Sequence, residues 1–127
     1  MPIYLPDSAG LKPILKNDSP LLVVCFCAAW CDTCTLYQPK FTELSASHPD
    51  SVFVWADIES FPELLGDEDV ENFPTLLIQT RSAVLFFGTM LPHIQQLDRL
   101  LQTFKERAQT EPLQTGLPDV WGLLCST

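Results

Sequence analysis

Apolar positions recur along the chain in two rhythms. Leu21–Cys27 is an unbroken apolar run of strand length, the pattern of a central strand covered on both faces. From Asp32 the spacing changes. Cys34, Tyr37, Phe41, Leu44 and Ser45 recur at helical intervals until His48 and Pro49, and Pro39 inside the run predicts a kink. Residues 51–56 read as a second buried strand. Residues 61–65 read as a short helix with Pro62 early in it. Thr75–Gln79 and residues 83–87 are two further strands joined by Thr80, Arg81 and Ser82 as a hairpin loop, with Gly88 closing the second strand. Residues 93–107 carry Ile94, Leu97, Leu100, Leu101 and Phe104 on one helical stripe. Ahead of all these, residues 1–5 make a short edge strand limited by Pro2 and Pro6. Leu11, Ile14 and Leu15 mark a brief helix that Gly10 and Pro13 keep irregular.

This order of elements predicts an α/β fold with a mixed central β-sheet flanked by helices on both faces. Its first part is parallel β-α-β; its second is an antiparallel hairpin followed by a helix. The predicted domain spans residues 1–108, and residues 109–127 form a C-terminal extension. Pro112, Gly116, Pro118 and Gly122 predict that this extension is extended or rich in turns. Leu117, Val120, Trp121, Leu123 and Leu124 predict that it packs, either on the domain or on a second copy of the chain as a homodimer.

Composition narrows the function. A chain of 127 residues fits one domain, and 46% hydrophobic against 18% charged residues is a globular balance. The net charge of -9 leaves no basic patch for phosphates, which argues against nucleic acid and against anionic membrane surfaces. No apolar run has bilayer length. Residues 1–10 show neither the basic nor the apolar part of a secretory signal, so a cytoplasmic location is expected. The acidic run at residues 66–72 reads as solvated surface.

Cysteine usage is more specific. Cys25, Cys27, Cys31, Cys34 and Cys125 are odd in number and mostly clustered, unlike a secreted disulfide framework. In a reducing compartment such clusters are more often catalytic or metal-binding than structural. Cys31 and Cys34 have C-x-x-C spacing, which puts both on one side of a helix's first turn, able to close a disulfide. Free backbone N–H groups there favour a thiolate on Cys31. Cys31 can then attack a partner disulfide, and Cys34 can resolve the mixed disulfide. A metal site made of Cys25, Cys27, Cys31 and Cys34 is the weaker reading, because the first two lie in a buried strand and no second ligand pair accompanies the motif. Cys25 and Cys27 share one strand face. Buried thiols there act as small hydrophobes, or they lie close enough to Cys34 to exchange with it. Cys125 is either a thiol without a role or half of an intermolecular disulfide.

Trp30-Cys31-Asp32-Thr33-Cys34 after a buried strand resembles the active site of the thioredoxin family. Three more landmarks agree in order. Pro39 stands where that family carries its helix-kinking proline. Phe73-Pro74-Thr75 matches its cis-proline loop, though taken alone it is a turn leading into a strand. Gly88 matches the position of its glycine turn.

The resemblance covers residues 1–108 and implies a thioredoxin-like fold. It also implies a thiol–disulfide oxidoreductase that needs no bound cofactor and acts on protein disulfides. Cys31 would be the nucleophile, Cys34 the resolving thiol, and Cys31–Cys34 the redox-active disulfide. Pro74 would be cis and face the dithiol, the Phe73 backbone would pair with an extended substrate segment, and Trp30 and Gly88 would frame the groove. Electrons would come from a thioredoxin reductase or a small-thiol reductant.

Departures from the family pattern are equally specific. Asp32 and Thr33 replace Gly-Pro between the cysteines, so a negative charge opposes the thiolate while a hydroxyl offers it a donor. Cys25 and Trp55 stand where the family has a buried acid and its lysine partner, and Cys27 stands where it has a tryptophan. These four positions, Asp32, Thr33, Cys25 and Trp55, are expected to modulate exchange, making it slower or different in pH dependence. They also favour an alternative: a redox-sensing or protein-binding module of the same fold with little turnover.

Overall fold

A computed structural model describes residues 3–7, 10–17, 21–28, 31–48, 51–65, 74–80, 83–89, 94–106 and 120–126. Trp30, Phe73, the acidic run at 66–72 and the hairpin residues Arg81 and Ser82 lie outside these, as does the side chain of Cys125.

Parity along the strands explains the architecture. The chain forms α1 (Leu11–Asn17), β1 (Leu21–Cys27), α2 (Asp32–Ser47), β2 (Ser51–Asp57), a 3-10 turn (Pro62–Leu64), β3 (Thr75–Gln79), β4 (Val84–Thr89), α3 (Ile94–Glu106) and α4 (Val120–Ser126). The strands make one four-stranded sheet in the order β2-β1-β3-β4. β1 runs parallel to β2 and antiparallel to β3, and β3 is antiparallel to β4. Successive side chains of β1 point to opposite faces, and each face has its own core. Val23, Cys25 and Cys27 join Phe53, Leu76 and Ile78 under α2 and α3. Leu22, Val24 and Phe26 join Val52, Val54, Ala56 and Leu77 under α1 and α4. The continuous apolar character of β1 therefore reflects two helical layers.

Beyond β2 the N-terminal segment adds a vestigial fifth strand. Tyr4 makes a parallel bridge to Val54, donating its N–H to Phe53 O at 2.9 Å and accepting from Trp55 N–H at 2.8 Å. This blunts the exposed edge of β2.

Three features of the elements differ from the sequence pattern. Gly88 does not close β4: it pairs with Leu76 inside the strand, which continues to Thr89. A register shift between Ile78 and Gln79 moves the earlier part of β4 out of step, so the strand begins at Val84. Residues 120–126 are helical, where proline and glycine suggested an extended tail. Val120, Trp121 and Leu124 are buried against α1 and the β1–β2 face. Burying that apolar stripe within the domain outweighs the cost of Gly122 in a helix. It also uses the apolar residues on which the homodimer expectation rested.

Aromatic contacts fix α2 on the sheet. The Phe41 ring lies 5.0 Å from that of Phe53, 5.7 Å from that of Trp55 and 6.1 Å from that of Tyr37. At the far end of α2, His48 is buried, stacks on Phe53, and meets Asp98 of α3 with Nε2 to Oδ1 at 2.7 Å. Both helices on this face are thus tied together and to β2. Their positions determine where α2 begins.

Candidate active site

One end of the sheet gathers the chemistry. β1 ends at Cys27, directly beside Asp57 at the end of β2. On its other side Phe26 pairs with Thr75, so Pro74, buried just before β3, lies at the same end. Thr75 in turn pairs with Thr89, one residue past Gly88. The chain leaves β1 here and returns as α2.

Cys31 occupies the N-cap of α2 in an extended backbone conformation and makes no side-chain capping bond. Its N–H donates to Ala28 O at 3.0 Å, and its carbonyl accepts from Thr35 N–H at 3.2 Å. The first turn of α2 is thereby set, with the Cys31 side chain half-exposed at its tip. Asp32 follows as the acidic residue of that turn, and Thr33 is half-buried. Cys34 points inward and is only 2% exposed. Cys31 packs against the same buried cluster that contains Cys34.

The disulfide differs from the one expected. Cys34 is bonded to Cys27, and Cys31 is a free thiol. The reason is positional. Cys27 projects from the α2 side of β1, Cys34 projects from α2 toward the sheet, and their Cα atoms are 5.9 Å apart, an ordinary separation for a bridge. Cys25 projects to the same face, with its Sγ 3.6 Å from that of Cys27. A bridged Cys27 carries no hydrogen, so Cys25 is the donor in that contact.

Cys25 and Trp55 are direct cross-strand neighbours between β1 and β2, as their proposed equivalence to an acid–lysine pair requires. Neither supplies a carboxylate or an amine. Burial pushes the Cys25 thiol well above its ordinary range, so it stays neutral. Burial also raises the neighbouring Tyr37 phenol, with a further push from Cys25. The Tyr37 hydroxyl has no hydrogen-bond partner among the described residues. The interior beneath the thiols is therefore apolar and weakly solvating, and neither Cys25 nor Trp55 acts there as a base.

A cleft of about 430 Å³ opens beside this centre. Cys27 and Cys34 line it, together with Thr35 and Gln38 of α2 and Trp55 and Asp57 of β2. Cys31 and Pro74 do not line it, so the buried bridge and the exposed thiol face different surroundings. Among the described residues, no group of three or more His, Cys, Asp or Glu side chains is placed to hold a metal ion.

Of the residues singled out in the sequence, the structure gathers Cys31, Cys34, Cys25, Trp55, Pro74 and Gly88 around one end of the sheet. The Phe73–Pro74 bond and Trp30 are outside the described residues. Sequence reasoning weighed Cys27 as a buried, inert thiol or as one near enough to Cys34 to exchange with it, and the structure places it against Cys34. Its signal was parity: it shares the α2-facing side of β1 with Cys25.

A mixed sheet between helices, with a half-exposed cysteine capping the helix after the central strand and a buried cysteine one turn on, defines a thiol-bearing domain of the thioredoxin class. The sequence profile of the thioredoxin family matches residues 6–106, and the chain belongs to that family. Thioredoxin H5 of Oryza sativa subsp. japonica is 43% identical over 56 residues, 44% of this chain and 42% of that protein. Thioredoxin-1 of Schizosaccharomyces pombe is 32% identical over 72 residues, 57% of this chain and 69% of that protein. The chain spans about half the length of most of the known relatives it matches. In three dimensions it resembles Chlamydomonas reinhardtii thioredoxin f2, with a TM-score of 0.67 at 23% identity over 83% of this chain and 98% of that one.

Proposed function

We propose that the protein is a thiol–disulfide oxidoreductase acting on protein disulfides, with Cys31 as nucleophile and Cys34 as resolving thiol. The observation that carries this reading is the placement of Cys31: half-exposed, on the N-cap of a 16-residue helix, with Cys34 buried one turn behind it. In the reduced protein the Cys31 thiolate attacks one sulfur of a partner disulfide and releases the other as a thiolate. Cys34 then attacks Cys31 Sγ, frees the partner's second thiol, and leaves a Cys31–Cys34 disulfide. Pro74 and Gly88 lie at the sheet end where an extended segment of the partner would pair. The electrons come from a thioredoxin reductase or a small-thiol donor, in a reducing compartment such as the cytoplasm.

A second reading has its own support. With Cys25 neutral and Trp55 beside it, neither of these two residues takes the proton from Cys34. Such a site favours slow exchange, as in a module that senses redox state or docks a partner. Reduction of insulin by dithiothreitol, with and without the protein, separates the two. The enzyme reading predicts acceleration that Cys31→Ser abolishes, and capture of partner proteins as stable mixed disulfides by Cys34→Ser. Absence of acceleration, with partner binding unaffected by Cys31→Ser, supports the module and refutes the enzyme.

A further inference from the structure

Two sulfurs flank Cys34. Cys31 stands one helical turn before it at the surface. Cys27 stands beneath it on β1 and is bonded to it. Cys34 is thus bonded to a sulfur that is 1% exposed and lies one turn from a thiol that is half-exposed. We propose that Cys27 is a second resolving thiol, which takes Cys34 from the Cys31–Cys34 disulfide, so that the oxidised protein stores its disulfide as Cys27–Cys34 and keeps Cys31 free. This inference rests on the exchange reading above and specifies what becomes of its disulfide.

The steps balance. After partner release the protein holds Cys31–Cys34 and a Cys27 thiol. The Cys27 thiolate attacks Cys34 Sγ; the Cys34–Cys31 bond breaks as the Cys27–Cys34 bond forms, and Cys31 leaves as a thiolate that takes up a proton. Summed with the first stage, three protein thiols and one partner disulfide become one buried disulfide, one Cys31 thiol and two partner thiols. Two electrons pass to the partner, and the protons lost by Cys27 and Cys34 appear on it.

The surroundings favour this end point. An uncharged, apolar bridge suits the cluster of Val23, Phe41, Phe53 and Leu76. The Cys25 S–H donates toward Cys27 Sγ, giving the bridged sulfur a partner. Cys31, at the half-exposed tip of α2, leaves toward solvent, where water can return its proton. The result is an oxidised form that still carries a surface nucleophile. It can capture a further disulfide through Cys31, while Cys34 and Cys27, the two resolving thiols, are held in the buried bridge.

The test maps free thiols in the full chain. The protein is oxidised with excess oxidised dithiothreitol, quenched in acid, denatured and alkylated, and then cleaved before aspartate. Cleavage before Asp32 separates the peptide holding Cys25, Cys27 and Cys31 from the one holding Cys34. Either disulfide links the same two peptides, so fragmentation must locate the alkylated cysteines. The relay predicts label on Cys31 and none on Cys27 in most molecules; label mainly on Cys27 overturns it. In a Cys27→Ala variant, label on Cys31 should be lost. Dithiothreitol should then reduce the oxidised protein about tenfold faster or more, because its disulfide becomes accessible. Unchanged rates overturn the relay. Insulin turnover is measured on the same samples. No turnover with Cys31 labelled counts against the exchange reading alone, and turnover with Cys27 labelled counts against the relay alone.

Discussion

Replacing Trp121 by alanine tests the least expected part of the fold. Trp121 is 4% exposed in the core beneath α1 and α4, so nearly its whole side chain leaves water on folding. An aromatic side chain of this size buries roughly 200 Å². At about 25 cal/mol per Å², removing it costs up to about 5 kcal/mol, and large-to-small core substitutions of this kind cost about 3–5 kcal/mol. A domain has only about 5–15 kcal/mol in total, so the variant should lose roughly a fifth or more of its stability. With a melting shift of roughly 4 °C per kcal/mol at this size, its Tm should fall by roughly 12–20 °C. Urea unfolding followed by far-UV circular dichroism measures the loss without relying on the deleted indole. Activity at low temperature should persist, because the thiols lie on the opposite face of the sheet, under α2. A loss below about 1 kcal/mol with an unchanged m-value would mean that α4 is not docked as described.

Two further predictions follow from the site. Stability should fall in alkaline solution: Cys25 and Tyr37 both have raised folded-state pKa values, so above about pH 9 for the thiol and about pH 10 for the phenol the unfolded chain binds fewer protons than the folded one. Each group then contributes a slope of about -1.4 kcal/mol per pH unit. Urea midpoints taken soon after a pH jump should show this, and Cys25→Ala should move the onset from about pH 9 toward pH 10; an onset unmoved by that change rejects the assignment. Gly88→Ala should fold normally, because among the described residues an added Cβ would meet only Phe86 Cζ at 3.7 Å, and Tm should hold or rise slightly. If Gly88 frames the substrate groove, KM for insulin should rise severalfold in the same variant, and an unchanged KM removes Gly88 from the groove.

Much of this arrangement was legible in the residues. The apolar run of β1 announced a strand with two covered faces, and the change to helical spacing after Asp32 located α2 correctly from Asp32 to Ser47. The C-x-x-C spacing placed Cys31 and Cys34 on one turn, because that relation is local to a helix. Cys27–Cys34 is not local. It depends on how closely α2 lies over β1, which Phe41, Phe53 and Trp55 decide from separate elements. α4 was hidden for a similar reason. Gly122 and the nearby prolines oppose a helix locally, and the stabilising burial comes from α1 at the other end of the sequence. Gly88 was misplaced because a glycine suggests a stop, whereas pairing with Leu76 continues the strand.

The docking of α4 on α1 also bears on how the chain reaches this state. The two helices lie near opposite ends of the sequence, so this pairing closes a loop containing every strand. Contacts of such separation form late and slow folding. Until they form, one side of the finished sheet shows Leu22, Val24, Val52 and Val54 with only part of their cover. A ribosome-bound chain would therefore present its complete set of motif thiols on one side and an uncovered apolar face on the other. That is the interval in which it is most prone to aggregate and most in need of a chaperone.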